Sequence, residues 1–177
     1  MKWIKRLFYL FLFTGIFLLI AGLFIDNDYR VQRSVVIAAP RDAVFQYVKQ
    51  LKNQENFGVW WKQDPHLKAV YSGTEATPGF TCTWYSKEVG NGAQKIMAIQ
   101  EGQRIDTRLQ LETPFKSTNQ LFISTNALGS SNTRVVWGFN GTMPYPFNSL
   151  KLVFSPENRV GQDLETGLKN LKRLLEK

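Results

Sequence analysis

The amino-acid sequence has a single cysteine, Cys82, and a single histidine, His66, among its 177 residues. One cysteine excludes an intramolecular disulfide, and one residue of each type excludes a cysteine-cluster zinc site and a catalytic apparatus that requires two histidines. We therefore expect no metal site and no cofactor, and we assign no catalytic residue. An enzyme is the less favoured class of function for such a chain.

The one histidine lies close to a carboxylate in the sequence Asp64-Pro65-His66. A carboxylate that orients an imidazole is how many hydrolases activate a nucleophile. Residues two apart in a loop are adjacent without being oriented toward each other, and the chain has no Gly-x-Ser-x-Gly motif. We therefore interpret His66 as a solvated loop histidine.

The apolar content of the chain is unevenly distributed. Hydrophobic residues make up 44% and charged residues 20%, which excludes a disordered chain, and an uncharged apolar run covers residues 7–25. About 20 apolar residues cross a ~30 Å hydrocarbon core, whereas a cleaved signal peptide has a core of about 7–15 residues followed by small ones. We predict one uncleaved transmembrane helix over about residues 4–25, a membrane anchor over 1–27 and a globular domain over 28–177.

Charges on the two sides of the apolar run predict its orientation. Lys2, Lys5 and Arg6 precede the run, and Asp26 and Asp28 follow it. The positive-inside rule places the basic end in the cytoplasm. We therefore expect a single-pass protein of the bacterial inner membrane, with a cytoplasmic N-terminus and a periplasmic domain.

The globular part keeps a net positive charge. Without the three basic residues before the run, 19 Lys and Arg face 14 Asp and Glu, a charge of +5 over residues 26–177. Basic residues alternate with acidic ones and form no runs, and an exterior location removes nucleic acid, so we expect no nucleic-acid partner. Attraction to anionic lipid headgroups stays open as an alternative use of this charge. The sequence indicates no particular protein partner.

Alternation of apolar and polar residues, rich in β-branched side chains, predicts seven strands of an antiparallel sheet. The Asn91-Gly92 pair predicts a type I′ turn between the third and fourth strands, because that turn needs positive φ at both central residues. The predicted strands cover residues 29–38, 67–72, 80–87, 93–101, 104–112, 116–125 and 133–141.

One predicted helix follows the first strand and another follows the last. Pro40 begins a stretch with apolar residues at helical spacing that ends near Gln50. Ser155 and Pro156 suit the N-cap and first position of a last helix, whose apolar stripe runs from residue 160 to residue 175. This stripe must lie on the sheet, and the order of elements predicts an α+β fold.

Apolar and aromatic rows converge on one face of the predicted sheet, in patterns such as Phe80, Cys82 and Trp84. An ordinary filled core is one explanation. The other is that large rings between a curved sheet and one helix leave space for an apolar ligand. The predicted ligand-binding residues are Trp60, Trp61, Tyr71, Trp84, Met97, Thr107, Leu109, Trp137, Phe139 and Leu168.

Several short stretches of the sequence resemble one protein family. They are Tyr-Arg-Val-Gln-Arg-Ser-Val-Val-Ile-Ala-Ala-Pro at residues 29–40, Trp-Trp at 60–61 with Asp-Pro at 64–65, Thr-Arg-Val-Val-Trp at 133–137, and Val-Gly-Gln-Asp-Leu-Glu at 160–165. In these stretches the chain is similar to the START-like superfamily (SRPBCC, the polyketide cyclase/dehydrase and lipid-transport group). It resembles most the bacterial members with an N-terminal membrane anchor.

This resemblance implies a helix-grip fold, in which a seven-stranded sheet wraps around a long C-terminal helix with a cavity between them. It does not imply cyclase chemistry, because most domains of this group resemble binders of hydrophobic ligands, and three hypotheses for function stay open. The first is a membrane-anchored domain that binds a lipid or another hydrophobic small molecule in that cavity. The second is an enzyme of the polyketide cyclase or aromatase type that uses polar groups in the pocket, and the third is an interaction module with a filled core.

Overall fold

The structure begins with a single exposed helix. The computed structural model describes residues 2–113 and 116–177. Helix α1 (Lys2–Gly22) has 21 residues and is buried only at Gly22. It is long and apolar enough to cross a membrane, and its most apolar stretch is not buried against the rest of the protein. It starts two residues and ends three residues earlier than the predicted span. Such a helix is compatible with a membrane anchor or a signal sequence.

Seven strands follow and form one antiparallel sheet, which confirms the predicted fold class. The strands are β1 (Asp28–Ile37), β2 (Lys68–Ser72), β3 (Thr81–Tyr85), β4 (Gly92–Gln100), β5 (Arg104–Leu111), β6 (Ser117–Ala127) and β7 (Thr133–Thr142). Their order in the sheet is β1-β7-β6-β5-β4-β3-β2. The first strand therefore pairs with the last, and the other strands form a meander.

The remaining helices are α2 (Arg41–Lys49), the short α3 (Gln54–Phe57) and the long α4 (Pro156–Leu175), with single 3₁₀ turns at Leu51–Asn53 and Trp60–Lys62. Helix α4 lies against β1 and β7. Helices α2 and α4 bury their apolar stripes in the same core as the inward-facing residues of the sheet. This is the helix-grip arrangement that the resemblance implies.

The start of α4 confirms the predicted N-cap. The Ser155 hydroxyl accepts a hydrogen bond from the amide of Asn158 at 3.2 Å, and Pro156 is the first helical residue. A salt bridge of 2.6 Å between Lys169 and Glu165 lies on the exposed face, with the favourable i,i+4 orientation. Apolar packing on the other face holds the helix on the sheet.

The two ends of the sheet differ in their packing. Because β1 and β7 are antiparallel, Asp28 lies opposite Thr142 at one end and Ile37 lies opposite Thr133 at the other. We call the end with Asp28 and Thr142 the near end, since β1 begins there just after α1, and the opposite one the far end. The far half of the sheet and the helices on it form the tightly packed core, including Ile37, Phe45, Val135, Trp137 and Leu168.

The reversal between β3 and β4 exists, but the predicted type I′ turn at Asn91-Gly92 is wrong. Positive φ occurs at Gly90, at 80°, and at neither central residue of the predicted turn. The side-chain oxygen of Asn91 accepts a hydrogen bond from the Ser86 amide at 3.1 Å, which closes a longer loop. Gly92 begins β4 instead, where a Cβ would lie 2.5 Å from the Trp84 ring. The glycine is needed there for close contact with the indole.

A segment without a predicted element joins β7 to α4. It covers residues 143–154 and contains a 3₁₀ helix, Phe147–Leu152. Its residues lack the period of two or of 3.6 on which prediction of strands and α-helices rests. We call it the 143–154 segment.

Candidate ligand-binding cavity

A cavity of about 830 Å³ lies between the near end of the sheet and the N-terminal part of α4. Its wall combines inward-facing residues of the strands with the Trp60-Trp61 turn, the 143–154 segment and α4. Residues from these elements include Leu109, Phe139 and Val160. The wall is mainly aliphatic and aromatic.

The cavity begins where the packed core ends along each element. On β5, Leu109 lines the cavity while Thr107, two residues toward the far end, is buried. On β7, Phe139 lines the cavity while Trp137 is buried behind it. On α4, the second-turn residue Val160 marks the same boundary. The alternation of each strand thus continues across the boundary, and only the depth along the strand separates core from cavity.

The Trp137 ring lies behind the cavity wall, in the packed core. It makes edge-to-face contacts with Phe57 and Trp60, at centroid distances of 5.4 and 5.9 Å. On its other side it packs on Gly167 of α4, where a Cβ would lie 2.7 Å from the ring. The glycine allows the helix to approach the indole closely, so this level of the sheet is filled.

Tryptophans form a second part of the wall. Trp61 and Trp84 contact each other at a centroid distance of 6.1 Å, and both line the cavity together with Trp60. The absent side chain of Gly92 leaves the space that the Trp84 ring occupies. Large rigid rings held in this way provide apolar contact area at a small entropic cost.

A few polar groups are buried along the wall. The Gln94 amide donates to the Thr107 hydroxyl at 3.0 Å, and the Asn119 amide donates to the Ser117 hydroxyl at 3.1 Å. Gln94 and Asn119 are both buried and line the cavity. Their carbonyl oxygens can accept a hydrogen bond from a ligand, so the wall combines apolar surface with a few polar groups.

Titratable groups are sparse on the wall that the structure describes. They are Tyr29 and Lys116, and Lys116 is exposed. Burial, and then the negative charge of Glu157, raise the pKa of Tyr29 above its ordinary value. A neutral phenol can donate a hydrogen bond but is a poor base at neutral pH.

The structure brings five of the ten predicted ligand-binding residues together on the cavity wall. These are Trp60, Trp61, Trp84, Leu109 and Phe139. That these five residues contact a ligand stays a prediction.

Three other predicted residues point into the protein at a deeper level than the cavity wall. Thr107 and Trp137 adjoin a separate void of only about 10 Å³, and Leu168 is 2% exposed within the core. Their side chains lie on the inward face of the sheet or helix, but closer to the far end than the cavity, where the core is continuously packed. The structure therefore places them behind the wall.

Met97 and Tyr71 lie elsewhere for different reasons. The pairing of β4 with β5 shifts between Ile96 and Ala98, so Met97 is the extra residue of a β-bulge and is exposed. Tyr71 stacks on Phe80 at a centroid distance of 5.9 Å. Its strand, β2, is an edge strand whose inward face packs on the core away from the cavity.

Sequence reasoning missed the polar wall residues and the whole contribution of the 143–154 segment. Gln54, Gln94 and Asn119 interrupt apolar rows, which is the one signal that could have indicated them. Met143 and Leu150 lie in irregular structure, where no periodic pattern shows which side chains face inward.

The Asp64 carboxylate has a structural role in its loop. Its two oxygens accept hydrogen bonds from the His66 amide at 2.8 Å and from the Ser86 hydroxyl at 2.6 Å. These bonds, that from Ser86 first, hold the pKa of Asp64 below its ordinary value. The carboxylate thus joins this loop to the β3–β4 loop, and it contacts the main chain of His66 rather than orienting the imidazole.

Metal-ligating residues are scattered in the described part of the chain, where no group of three His, Cys, Asp or Glu could hold a metal ion. Cys82 is buried. Burial, together with the nearby carboxylates of Glu55 and Glu75, raises the pKa of the Cys82 thiol to about 12. The thiol is therefore protonated and shielded from reagents in the folded state.

A sheet that grips one long helix over an apolar cavity defines a helix-grip protein. The family model for polyketide cyclase / dehydrase and lipid transport matches residues 28–176, and the chain belongs to this family. A comparison with curated proteins gives no match.

Solved structures share the fold at low sequence identity. A hypothetical protein from Helicobacter pylori is 11% identical, with a TM-score of 0.63 and coverage of 85% of this chain and 89% of that one. Norcoclaurine synthase from Thalictrum flavum, solved as a point mutant with a transition-state analogue, is 8% identical, with a TM-score of 0.61 and coverage of 83% and 96%. Ara h 8.0201 is 13% identical, with a TM-score of 0.57 and coverage of 84% and 97%. At these identities the likeness concerns the fold.

Proposed function

We propose that the protein binds a lipid or another hydrophobic small molecule in the cavity between the sheet and α4. The observation that supports this is the cavity itself, whose volume of about 830 Å³ lies within the ~300–1,000 Å³ of small-molecule sites. Protein interiors are close-packed and contain few voids larger than a water molecule. An apolar cavity of this size therefore favours binding of an apolar ligand over an interaction module with a filled core.

Binding is favoured over catalysis of the cyclase or aromatase type. Such an enzyme must move protons at its ligand, which requires a group of suitable pKa within hydrogen-bond reach. The titratable groups of the described wall are Tyr29, whose raised pKa keeps it neutral, and Lys116 at the exposed edge. The norcoclaurine synthase neighbour shares the fold without carrying its activity to this chain.

We further propose that residues 1–27 anchor the protein and that residues 28–177 form the binding domain. Helix α1 spans the bacterial inner membrane, with Lys2, Lys5 and Arg6 on the cytoplasmic side. The binding domain then lies in the periplasm, next to the outer leaflet of that membrane. We propose no nucleic-acid partner for a domain in this location.

Native mass spectrometry of the full-length protein in detergent tests the binding proposal. We expect a one-to-one adduct with the mass of a lipid or similar molecule. Leu109→Trp, which places an indole in the cavity, should abolish the adduct. Met97→Trp is the matched control, because it adds an indole to the neighbouring strand β4 at an exposed bulge. This variant should keep the adduct. Absence of any adduct, even after incubation with phospholipid and fatty acid, would reject the proposal.

A further inference from the structure

The 143–154 segment exposes a cluster of apolar side chains. Leu152, Val153 and Phe154 are 56%, 83% and 51% exposed, and Tyr145 and Leu150 are exposed as well. The three consecutive residues 152–154 do not belong to the cavity wall, so binding of a ligand does not explain their apolar character. Contiguous apolar surface on a folded protein marks contact with a partner or a membrane.

Hydrogen bonds hold this segment on the end of α1. The Asn148 side chain is buried, and its amide nitrogen donates to the carbonyl oxygens of Gly22 at 2.7 Å and Ile25 at 2.8 Å. A Cβ on Gly22 would lie 2.9 Å from the Asn148 side chain. The last carbonyls of a helix need partners beyond the helix, and here the segment supplies the partner of the Gly22 carbonyl.

Lys151 makes a second attachment to the chain that leaves α1. Its ammonium donates to the main-chain oxygens of Asp26 and Asp28, each at 2.8 Å. The segment is therefore fixed to both the last turn of α1 and the first residue of β1. Its distance from the end of α1 does not depend on a flexible linker.

The attachment to the end of α1 bears on what covers the exposed cluster. If α1 spans the membrane, its end at Gly22 lies at the membrane surface, and the apolar residues Leu23 and Phe24, 69% and 85% exposed, lie there too. The 143–154 segment is hydrogen-bonded at the same level. Its composition, apolar side chains with one lysine and one tyrosine, is typical of protein surfaces at the bilayer interface.

The same segment forms the rim of the cavity. Among the described residues that line the cavity, the exposed ones are Lys116, Thr142, Pro144, Phe147 and Leu150. Four of these five lie between residues 142 and 150. The fifth directly precedes β6, whose first residue lies opposite Leu111 at the near end of the sheet. The opening of the cavity and the exposed apolar cluster thus lie at one end of the molecule.

We propose that the 143–154 segment is a membrane-docking surface that places the opening of the cavity on the bilayer spanned by α1. The ligand then passes between that bilayer and the cavity without crossing water. This inference rests on the proposed function, because it assumes that α1 spans the membrane and that the cavity holds a ligand. It adds the source of the ligand, which is the outer leaflet next to the domain.

Fluorescence of site-labelled full-length protein in phosphatidylcholine vesicles tests this proposal. Val153→Cys places a label in the cluster, and Leu128→Cys is the matched control, an exposed apolar residue just after β6 at the far end. Cys82 is buried and does not compete for the label. We expect a nitroxide-labelled lipid in the vesicles to quench a fluorophore at position 153 and to leave one at position 128 unchanged.

The docking proposal would be overturned if the nitroxide lipid quenched neither fluorophore and an aqueous quencher such as iodide quenched both equally. Native mass spectrometry of the same two variants in detergent shows whether binding has failed as well. A retained lipid adduct together with no quenching at position 153 rejects membrane docking alone. A missing adduct in the unlabelled parent protein rejects the proposed function, whatever the quenching.

Discussion

Tryptophan substitutions at Thr107 and at Leu109 test whether these two residues lie in the packed core and at the cavity, respectively. The two residues lie two positions apart on the same face of β5, so they differ only in depth along the sheet. Thr107 is 6% exposed and adjoins a void of about 10 Å³. Leu109 faces the cavity of about 830 Å³. An indole therefore meets packed atoms at one position and open space at the other.

The expected free energies of unfolding differ accordingly. At Thr107 an indole overpacks the core, at a cost of about 1–3 kcal/mol. It also removes the acceptor of the buried Gln94 amide, which costs a further ~1–3 kcal/mol. The sum is about 2–6 kcal/mol. Leu109→Trp should cost less than this, because the ring enters the cavity.

Thermal unfolding of the full-length protein in detergent, followed by circular dichroism, measures this difference. One kcal/mol corresponds to about 2–4 °C in Tm for a chain of this size, so Thr107→Trp should lower Tm by at least ~4 °C. Binding of an environment-sensitive apolar dye should show the opposite order, with loss in Leu109→Trp. Equal tolerance of both substitutions, or a larger loss of stability at Leu109, would refute the division into core and cavity.

Three further predictions concern the cap of α4, the orientation of the chain and the thiol. Ser155→Ala removes the hydroxyl that accepts from Asn158, so we expect a loss of about 1 kcal/mol, seen as a Tm lower by ~2–4 °C; an unchanged Tm would contradict the cap. A reporter active only outside the cytoplasm, fused after Lys177, should give signal, and activity of a cytoplasmic reporter instead would reverse the proposed orientation. Because the pKa of Cys82 is raised to about 12, its thiol should react with a thiol reagent at pH 8 only when the protein is unfolded in denaturant; rapid reaction of the folded protein would show that the residue is accessible.

The strands and the last helix were predictable because their patterns are local. Alternation along β5 and β7 shows which side chains face the helix, and the stripe on α4 shows which face it buries. The N-cap at Ser155 follows from two neighbouring residues. Each of these features depends on residues that are close in the sequence, so a single amino-acid sequence is enough to predict it.

The position of the cavity depends on contacts between distant residues and could not be predicted in this way. Thr107 and Leu109 have the same pattern, as do Trp137 and Phe139. The packing of Trp137 against Phe57 and Gly167, which are distant in sequence, marks the level at which the core is filled. Met97 lies outside the cavity wall for a related reason, since a bulge in β4 is set by pairing with β5. The 143–154 segment follows no period at all, and its place is fixed by hydrogen bonds to residues more than 100 positions away.

Photocrosslinking measures most directly whether the cavity holds the ligand. The full-length protein is incubated in detergent with a fatty acid that carries a diazirine on its chain, irradiated, digested and analysed by peptide mass spectrometry. The account predicts crosslinks at wall residues such as Leu109, Phe139 and Val160, and their loss in Leu109→Trp. Crosslinks confined to exposed residues of α1 or to the outer face of the sheet, unchanged in Leu109→Trp, would contradict it.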